Sequence, residues 1–374
     1  MKVVVAIDSF KGSLSSIEAG NAIKEGILRA KKNAKVVVKP LADGGEGTTD
    51  AFIEGFACEK VYVDVTGPSA NKVNAYYGYE KESHTAIIEM ASAAGITLLE
   101  KKDPMNATTY GVGEMIKDAI QRGCRNFIIG IGGSATNDGG IGMLQALGFE
   151  FFAEDNSPVG QGGQALSKIK SISDANKLKE LDECNFKIAC DVNNPLYGSN
   201  GATYIYGPQK GVTEDMRDLL DEGMKNYAQR TKEFNGTDFA NTPGAGAAGG
   251  LGFAFLSFLN GKLESGIELI LDAVKLEEEL KDADYVITGE GRLDHQTAMG
   301  KAPIGVAKLA KKYGAKVIAL AGSISPGAQK CNEEGIDAYF CILNSVVTLQ
   351  EAMNKDTARE NMINTTEQIF RLLS

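Results

Sequence analysis

Residues 3–16 read VVVAIDSFKGSLSS, and residues 15–32 continue as SSIEAGNAIKEGILRAKK. The opening run is apolar at every position, the pattern of a strand buried on both faces, as in a parallel sheet. It ends at Asp8, and a glycine and serines follow. Ser15 with Glu18 then forms a capping-box signature, and Ile17, Ala22, Ile23, Ile27 and Ala30 recur at helical spacing. Strand, polar loop and helix make the first half of a βαβ unit. Residues 35–41 start a second strand, a glycine loop follows, and a helix is expected from about Thr48.

The far end of the chain repeats the theme. ADYVITGEG (283–291), AKVIALAGS (315–323) and DAYFCILN (337–344) are short apolar runs, and IGVAKLAKKYG (304–314) between the first two is helix-like. TARENMINTTEQIFRLL (357–373) predicts the final helix. Two N-terminal strands and three C-terminal ones predict one five-stranded, doubly wound, Rossmann-like sheet interrupted by an insertion.

The middle is of another kind. Residues 60–92, KVYVDVTGPSANKVNAYYGYEKESHTAIIEMAS, hold three strand-like runs joined by polar turns, which predicts antiparallel pairing. A helix near 109–122, a strand at 125–133, a helix at 140–148 and a strand at 186–192 follow. The fold class expected is α/β, with two α/β domains. Residues 1–60 with 284–374 form a discontinuous Rossmann-like domain, residues 61–283 an inserted domain with a mixed sheet, and the active site lies in the cleft between them.

The chain's 374 residues exceed what one core usually serves. A formal net charge of −10 argues against a nucleic-acid groove, though not against small anions held by local cations. No membrane span or signal peptide is evident. Six scattered cysteines without a C-x-x-C pair suit reduced thiols in the cytoplasm. The 44 glycines against 9 prolines gather in short clusters, where backbone must approach something closely.

Those clusters lie where strands end, and open α/β sheets bind ligands there. Asp8, Asp43–Glu46, Gly132–Ser134, Asp191 and Gly289–Arg292 all follow expected strands. GIGGSATNDGGIGM (130–143) is the densest: its backbone N–H groups and the helix start after it could cradle an anion, with Ser134, Thr136 and Asn137 as further donors. Asp138 could approach magnesium; equally, Asn137 or Asp138 could simply cap the helix. Phosphoryl transfer needs cations and magnesium on the phosphates and a carboxylate for the acceptor's proton. Asp8, Asp43, Glu46, Asp138, Asp191, Glu290 and Asp294 supply acids; Lys11, Arg292 and Lys301 supply cations. Arg292 could grip a carboxylate or phosphate with two parallel hydrogen bonds, or merely pair with Asp294 at the surface.

Other motifs are weaker. Gly244, Gly246 and Gly249 match G-x-G-x-x-G, but DFANTP before them is no convincing strand, and close helix packing explains them as well. There is no Walker A motif and no protein-kinase H-R-D or D-F-G set. The two histidines, His84 and His295, do not read as a metal pair. Cys190 lacks a nearby histidine and reads as core.

Taken in order, DSFKGSLS, PLADGGEGT, GIGGSATNDGGIGMLQALG, ACDVNNPLYG, GAGAAGGLG and TGEGRLDHQTAMGKAP resemble the bacterial-type glycerate kinase family along essentially the whole chain. The resemblance implies ATP-dependent phosphorylation of D-glycerate with Mg2+, 2-phosphoglycerate as the favoured product, and a two-domain α/β fold. It implies Asp191 as general base and Lys11 and Arg292 as anion clamps. Substrate contacts fall to Asp8, Ser9, Lys11, Arg292 and Asp294, the nucleotide phosphates to Gly132, Gly133, Ser134, Asn137 and Asp138, and magnesium to Asp43 and Glu46. Partners expected are D-glycerate and ATP, with no nucleic acid or membrane, in a monomer or homodimer. Two rival readings stand beside it: an NAD-dependent hydroxy-acid dehydrogenase resting on Gly244–Gly249, and a non-catalytic binder of small carboxylates.

Overall fold

The computed structural model describes residues 1–41, 49, 50, 53 and 58–373. Asp43 and Glu46 lie outside the described residues. Two compact units emerge: Met1–Asp43, Asp50–Ala57 and Ile267–Ser374 form the first, Gly44–Thr49 and Cys58–Gly266 the second.

Among the described residues, the first unit is built on a five-stranded, wholly parallel sheet. Its strands are β1 (Lys2–Ile7), β2 (Lys35–Pro40), β11 (Tyr285–Leu293), β12 (Lys316–Ile324) and β13 (Ala338–Cys341), in the order β13-β12-β11-β1-β2. β1 is buried along its whole length, as its unbroken apolar run predicts. Val3, Val5, Ile7, Ile287 and Leu320 face a core closed by α1 (Ser16–Ala30) and α10 (Lys355–Leu372), the latter through Met362, Ile363 and Phe370. Val4, Val286 and Val317, one residue out of phase, face the other side, where α8 (Ala302–Lys311) packs.

The capping box of α1 forms as its sequence predicts. The Glu18 amide donates to Ser15 Oγ at 3.3 Å, and the Ser15 amide donates to Glu18 at 3.0 Å. Ser16 matters more for the site. Its buried Oγ donates to the Ile7 carbonyl (2.7 Å) and accepts from the Leu41 amide (2.8 Å), tying the helix start to the ends of β1 and β2.

The second unit carries a six-stranded sheet in the order β10-β9-β6-β5-β4-β3 among the described residues. β3 (Glu59–Thr66), β4 (Lys72–Glu80) and β5 (Thr85–Glu89) pair antiparallel, as the polar turns between them predict. β6 (Asn126–Gly130), β9 (Asn185–Ala189) and β10 (Lys262–Glu264) continue the sheet in parallel from β5. A small hairpin joins β7 (Glu150–Phe152) to β8 (Ser171–Ser173). The main helices are α2 (Tyr110–Gln121), α3 (Ile141–Ala146), α4 (Glu214–Asn235) and α5 (Ala247–Phe258). Their core runs from Val61 to Leu259 and includes the aromatic group Phe151, Tyr227, Phe253 and Phe258.

One boundary differs from the sequence reading. The insertion ends at Gly266 rather than 283, because α6 (Gly266–Ala273) from Ile267 onward and α7 (Leu276–Leu280) belong to the first unit. Their apolar faces bury Ile270, Leu276 and Leu280, and Ile267 fits against Gly305 of α8, where an added Cβ would meet it at 2.5 Å. No helix among the described residues is long and apolar enough to cross a membrane.

Candidate active site

The carboxyl ends of β1, β11 and β12 meet around one cavity of about 700 Å³ in the first unit. Its polar end is lined by Asp8, Ser9, Lys11, Glu290, Arg292, Asp294 and Lys301, so every first-unit residue expected at the substrate is gathered there. Backbone packing explains why. Gly289 has φ +145° and lies so near β12 that a Cβ would stand 1.9 Å from the Leu320 carbonyl oxygen. The same residue's carbonyl accepts the Asp8 amide at 2.9 Å, locking the end of β1 to β11.

After Asp8 the chain closes on itself. The Phe10 amide donates to the Leu14 carbonyl (2.8 Å), the Leu14 amide donates back (3.1 Å), and Gly12 turns at φ +77°. The small loop holds Lys11 outward. Asp8 is nearly buried, and its carboxylate accepts the Ser9 amide at 2.6 Å.

On β11, Glu290 and Arg292 alternate onto one face. Glu290 accepts from the buried Thr297 hydroxyl at 2.5 Å, and that hydroxyl accepts the Asp294 amide at 3.1 Å. Asp294 in turn accepts the amides of Gln296 (2.8 Å) and Thr297 (3.3 Å). Burial pushes the Asp294 carboxyl up, but those amides and the charges of Lys301 and His295 outweigh it and hold the group below the usual range. Arg292 stays exposed, donating through Nε to Ser325 Oγ at 2.9 Å, with Asp294 at 3.8 Å. A surface pair at that distance contributes little, so the guanidinium remains available to an anion. His295 does not line the cavity and packs by its Cβ at the Gly327 turn.

In the second unit, the glycine loop after β6 divides into two layers. Gly132 and Gly133 are exposed, and Ser134 is mostly covered by its bridge to Gly95. Asn137 and Asp138 are fully buried beneath them. Asp138 Oδ2 accepts from the Thr109 amide and hydroxyl, both at 2.8 Å, and from the Gly142 amide at 3.4 Å; Oδ1 accepts from the Gly140 amide at 3.1 Å. Burial pushes the Asp138 carboxyl up, against the pull of these donors. Asn137 donates to Thr203 Oγ1 at 3.0 Å, and buried Lys210 donates to the Thr136 carbonyl at 2.7 Å. A carboxylate with no exposed surface cannot reach magnesium in this loop, which corrects that reading of Asp138.

The run 244–252 lies under the same loop. A Cβ at Gly249 would stand 2.1 Å from the Thr136 carbonyl oxygen, and one at Gly246 would stand 2.2 Å from that of Pro195. Residues 248–250 take left-handed backbone, and no strand precedes them. These glycines serve packing, which removes the basis of the dinucleotide reading.

Asp191 follows β9 and is exposed, with Oδ1 accepting the Gly266 amide (3.0 Å) and Ser265 Oγ (3.3 Å). Cys190 beside it is half-buried; burial pushes its thiol up, in keeping with core packing rather than nucleophilic use. Among the described residues no three acids, histidines or cysteines gather closely enough to hold a metal ion. The sequence reading missed Thr297 and Ser16, which orient site groups from buried positions, and the cavity's apolar wall at 342–353. The Asp294–Thr297 spacing of an Asx turn was the available signal for the first.

A model of the glycerate kinase family matches residues 3–374. The chain belongs to the glycerate kinase family. Membership makes it an ATP-dependent kinase, in accord with a cavity lined by three cations. A protein of Escherichia coli named glycerate 2-kinase is 47% identical over 94% of this chain and 93% of its own length. A Halalkalibacterium halodurans glycerate kinase is 45% identical over 94% and 93% respectively. A crystal structure from Salmonella typhimurium LT2, described as a glycerate kinase 2, superposes with a TM-score of 0.92 at 43% identity, covering 100% of this chain and 98% of that one.

Proposed function

We propose that the protein transfers the γ-phosphoryl group of ATP to a hydroxyl of D-glycerate, giving 2-phosphoglycerate and ADP. The observation that carries this reading is the first unit's cavity, where Lys11, Arg292 and Lys301 share walls with Asp8, Glu290 and Asp294 at the strand ends. The name of the Escherichia coli relative supports the 2-hydroxyl as acceptor.

In this reading Arg292 and Lys11 hold the glycerate carboxylate and neighbouring phosphate oxygens, since a guanidinium matches either group with two parallel donors. Asp8, Ser9 and Asp294 orient the hydroxyls. Gly132, Gly133 and Ser134 present backbone N–H groups and a hydroxyl to the phosphates, while Asn137 and Asp138 hold that loop in shape from below. Asp191 takes the proton of the acceptor hydroxyl as its oxygen bonds to the γ-phosphorus and the β–γ bridging oxygen leaves with ADP. The Gly266 amide and Ser265 hydroxyl fix the orientation of that carboxylate.

Magnesium, when bound, neutralises charge on the transferred phosphates. It needs one or two carboxylates beside phosphate oxygens and water. Asp43 and Glu46 fit that donor chemistry and are the ligands we propose, from the sequence alone. Six free cysteines support a reducing, cytoplasmic setting.

The test is direct. Protein with Mg-ATP and D-glycerate should release ADP, and phosphorus NMR should identify the 2-phosphate; no ADP above background overturns the activity, and the 3-phosphate overturns the regiochemistry. Asp191→Asn should lose about 10²- to 10⁴-fold in kcat while nucleotide binding persists. Turnover within about tenfold of the parent would remove Asp191 from the base role.

A further inference from the structure

The cavity of the first unit is larger, and at one end more apolar, than a three-carbon hydroxy acid requires. Its volume of about 700 Å³ falls in the range that encloses ligands several times the size of glycerate. Besides the cations, the lining includes an apolar wall made by Ile342, Leu343, Val347, Leu349, Ala352 and Met353. Leu349 is 75% exposed and Met353 39% exposed, so apolar side chains face water at the cavity mouth. Exposed apolar surface concentrated at a binding cavity marks a contact that a ligand completes.

This wall is built rather than loose. α9 (Leu349–Met353) is held by its own capping box: the Glu351 amide donates to Thr348 Oγ1 at 3.3 Å, and the Thr348 amide donates to Glu351 at 2.9 Å. The cationic loop rests on it. A Cβ at Gly12 would stand 2.8 Å from Met353 Cε, so the residue after Lys11 and the last residue of α9 are in contact. Cationic and apolar ends therefore form one continuous surface within this unit.

D-Glycerate offers a carboxylate and hydroxyls, and has nothing to place on such a wall. The other reactant does. We propose that the wall formed by residues 342–353 is the purine subsite of ATP, with the triphosphate directed toward Lys11, Arg292 and Lys301. The inference rests on the kinase reading above and deepens it by assigning the base. The second unit's glycine loop keeps its role toward phosphate oxygens. Apolar stacking selects a flat aromatic ring over bulk water and discriminates poorly between purines, so GTP should substitute for ATP to a substantial degree.

Leu349→Asp tests the subsite at an exposed position, where an acid in the first turn of a helix is tolerated. It should raise KM for ATP by about 10-fold or more while KM for D-glycerate and kcat stay within about twofold, and Leu349→Met should restore KM for ATP. Inorganic tripolyphosphate, which has no base, should inhibit parent and variant equally. An unchanged KM for ATP in Leu349→Asp, or an equal rise for both reactants, overturns the assignment. Photolabelling with 2-azido-ATP gives a readout independent of turnover. Label on the peptide spanning 342–353 supports the subsite even if D-glycerate proves not to be the acceptor, and label confined to other peptides overturns it even if D-glycerate is phosphorylated.

Discussion

Arg292 and Asp138 are both charged residues in glycine-rich segments at or after strand ends, and burial separates their roles. Arg292 is exposed at the cavity, so Arg292→Lys should leave stability nearly unchanged. It replaces a two-pronged donor with a point charge and should raise KM for D-glycerate about 10-fold. An unaltered KM in steady-state kinetics would remove the arginine from the substrate clamp. Asp138 is buried among four donors, and near it burial draws the Lys210 amine down to about 7, partly resisted by the Asp138 charge. An unfolded lysine keeps its proton to about 10.4. Between those values the unfolded chain binds more protons than the folded one, so this group makes stability rise with pH from about 7 upward. The rise approaches ~1.4 kcal/mol per pH unit at most. Lys210→Met should flatten that dependence, and urea midpoints at neutral and at mildly alkaline pH compare the two proteins. A parent and variant with parallel profiles would show that Lys210 is not the titrating group. The buried roles of Asp138 and Lys210 were not legible in the sequence, where Asn137 and Asp138 look as able to face a ligand as Gly132 or Ser134.

At the scale of elements, strands were legible wherever burial demanded unbroken apolar runs, as in β1, β11 and β12. The buried stripe of α4 shows the opposite case. It consists of Leu220, Gly223, Met224, Tyr227, Ala228 and Thr231, which keep helical spacing but include glycine, alanine and threonine, residues that barely register as apolar. The run 244–252 left two readings open in the sequence, because G-x-G-x-x-G spacing can also arise where two backbones touch. Gly249→Ala separates the meanings. With φ at +69° and the Thr136 carbonyl oxygen 2.1 Å from the new Cβ, it should cost about 2–4 kcal/mol and displace the loop carrying Asn137. Denaturant unfolding measures this directly. A substitution costing under ~0.5 kcal/mol would contradict the packing role, since surface changes fall in that range.

On the scale of the molecule, the α1-side core of the first unit and the core of the second share no residues among the described ones. One is drawn from segments at the two ends of the chain, from Val3 to Ile27 and from Ile287 to Phe370; the other lies wholly between Val61 and Leu259. The insertion was legible because helix-linked strands gave way to three runs joined by turns. Its far boundary was not, because α6 and α7 look alike whichever core they cover. A segment with a complete core of its own should fold without the rest. Residues 58–266 expressed alone should therefore unfold in a single cooperative transition, followed by circular dichroism in urea. Its edge strand β3 is protected from aggregation by outward charges such as Glu59 and Asp64. The fragment contains Thr136, Asp138 and Lys210 together, so it should also retain the rise of stability above about pH 7. It lacks Lys11, Arg292 and Lys301, and should phosphorylate nothing. A broad, non-cooperative transition would mean that this core depends on the flanking segments, and a cooperative fragment with a flat pH profile would place the titrating group outside it.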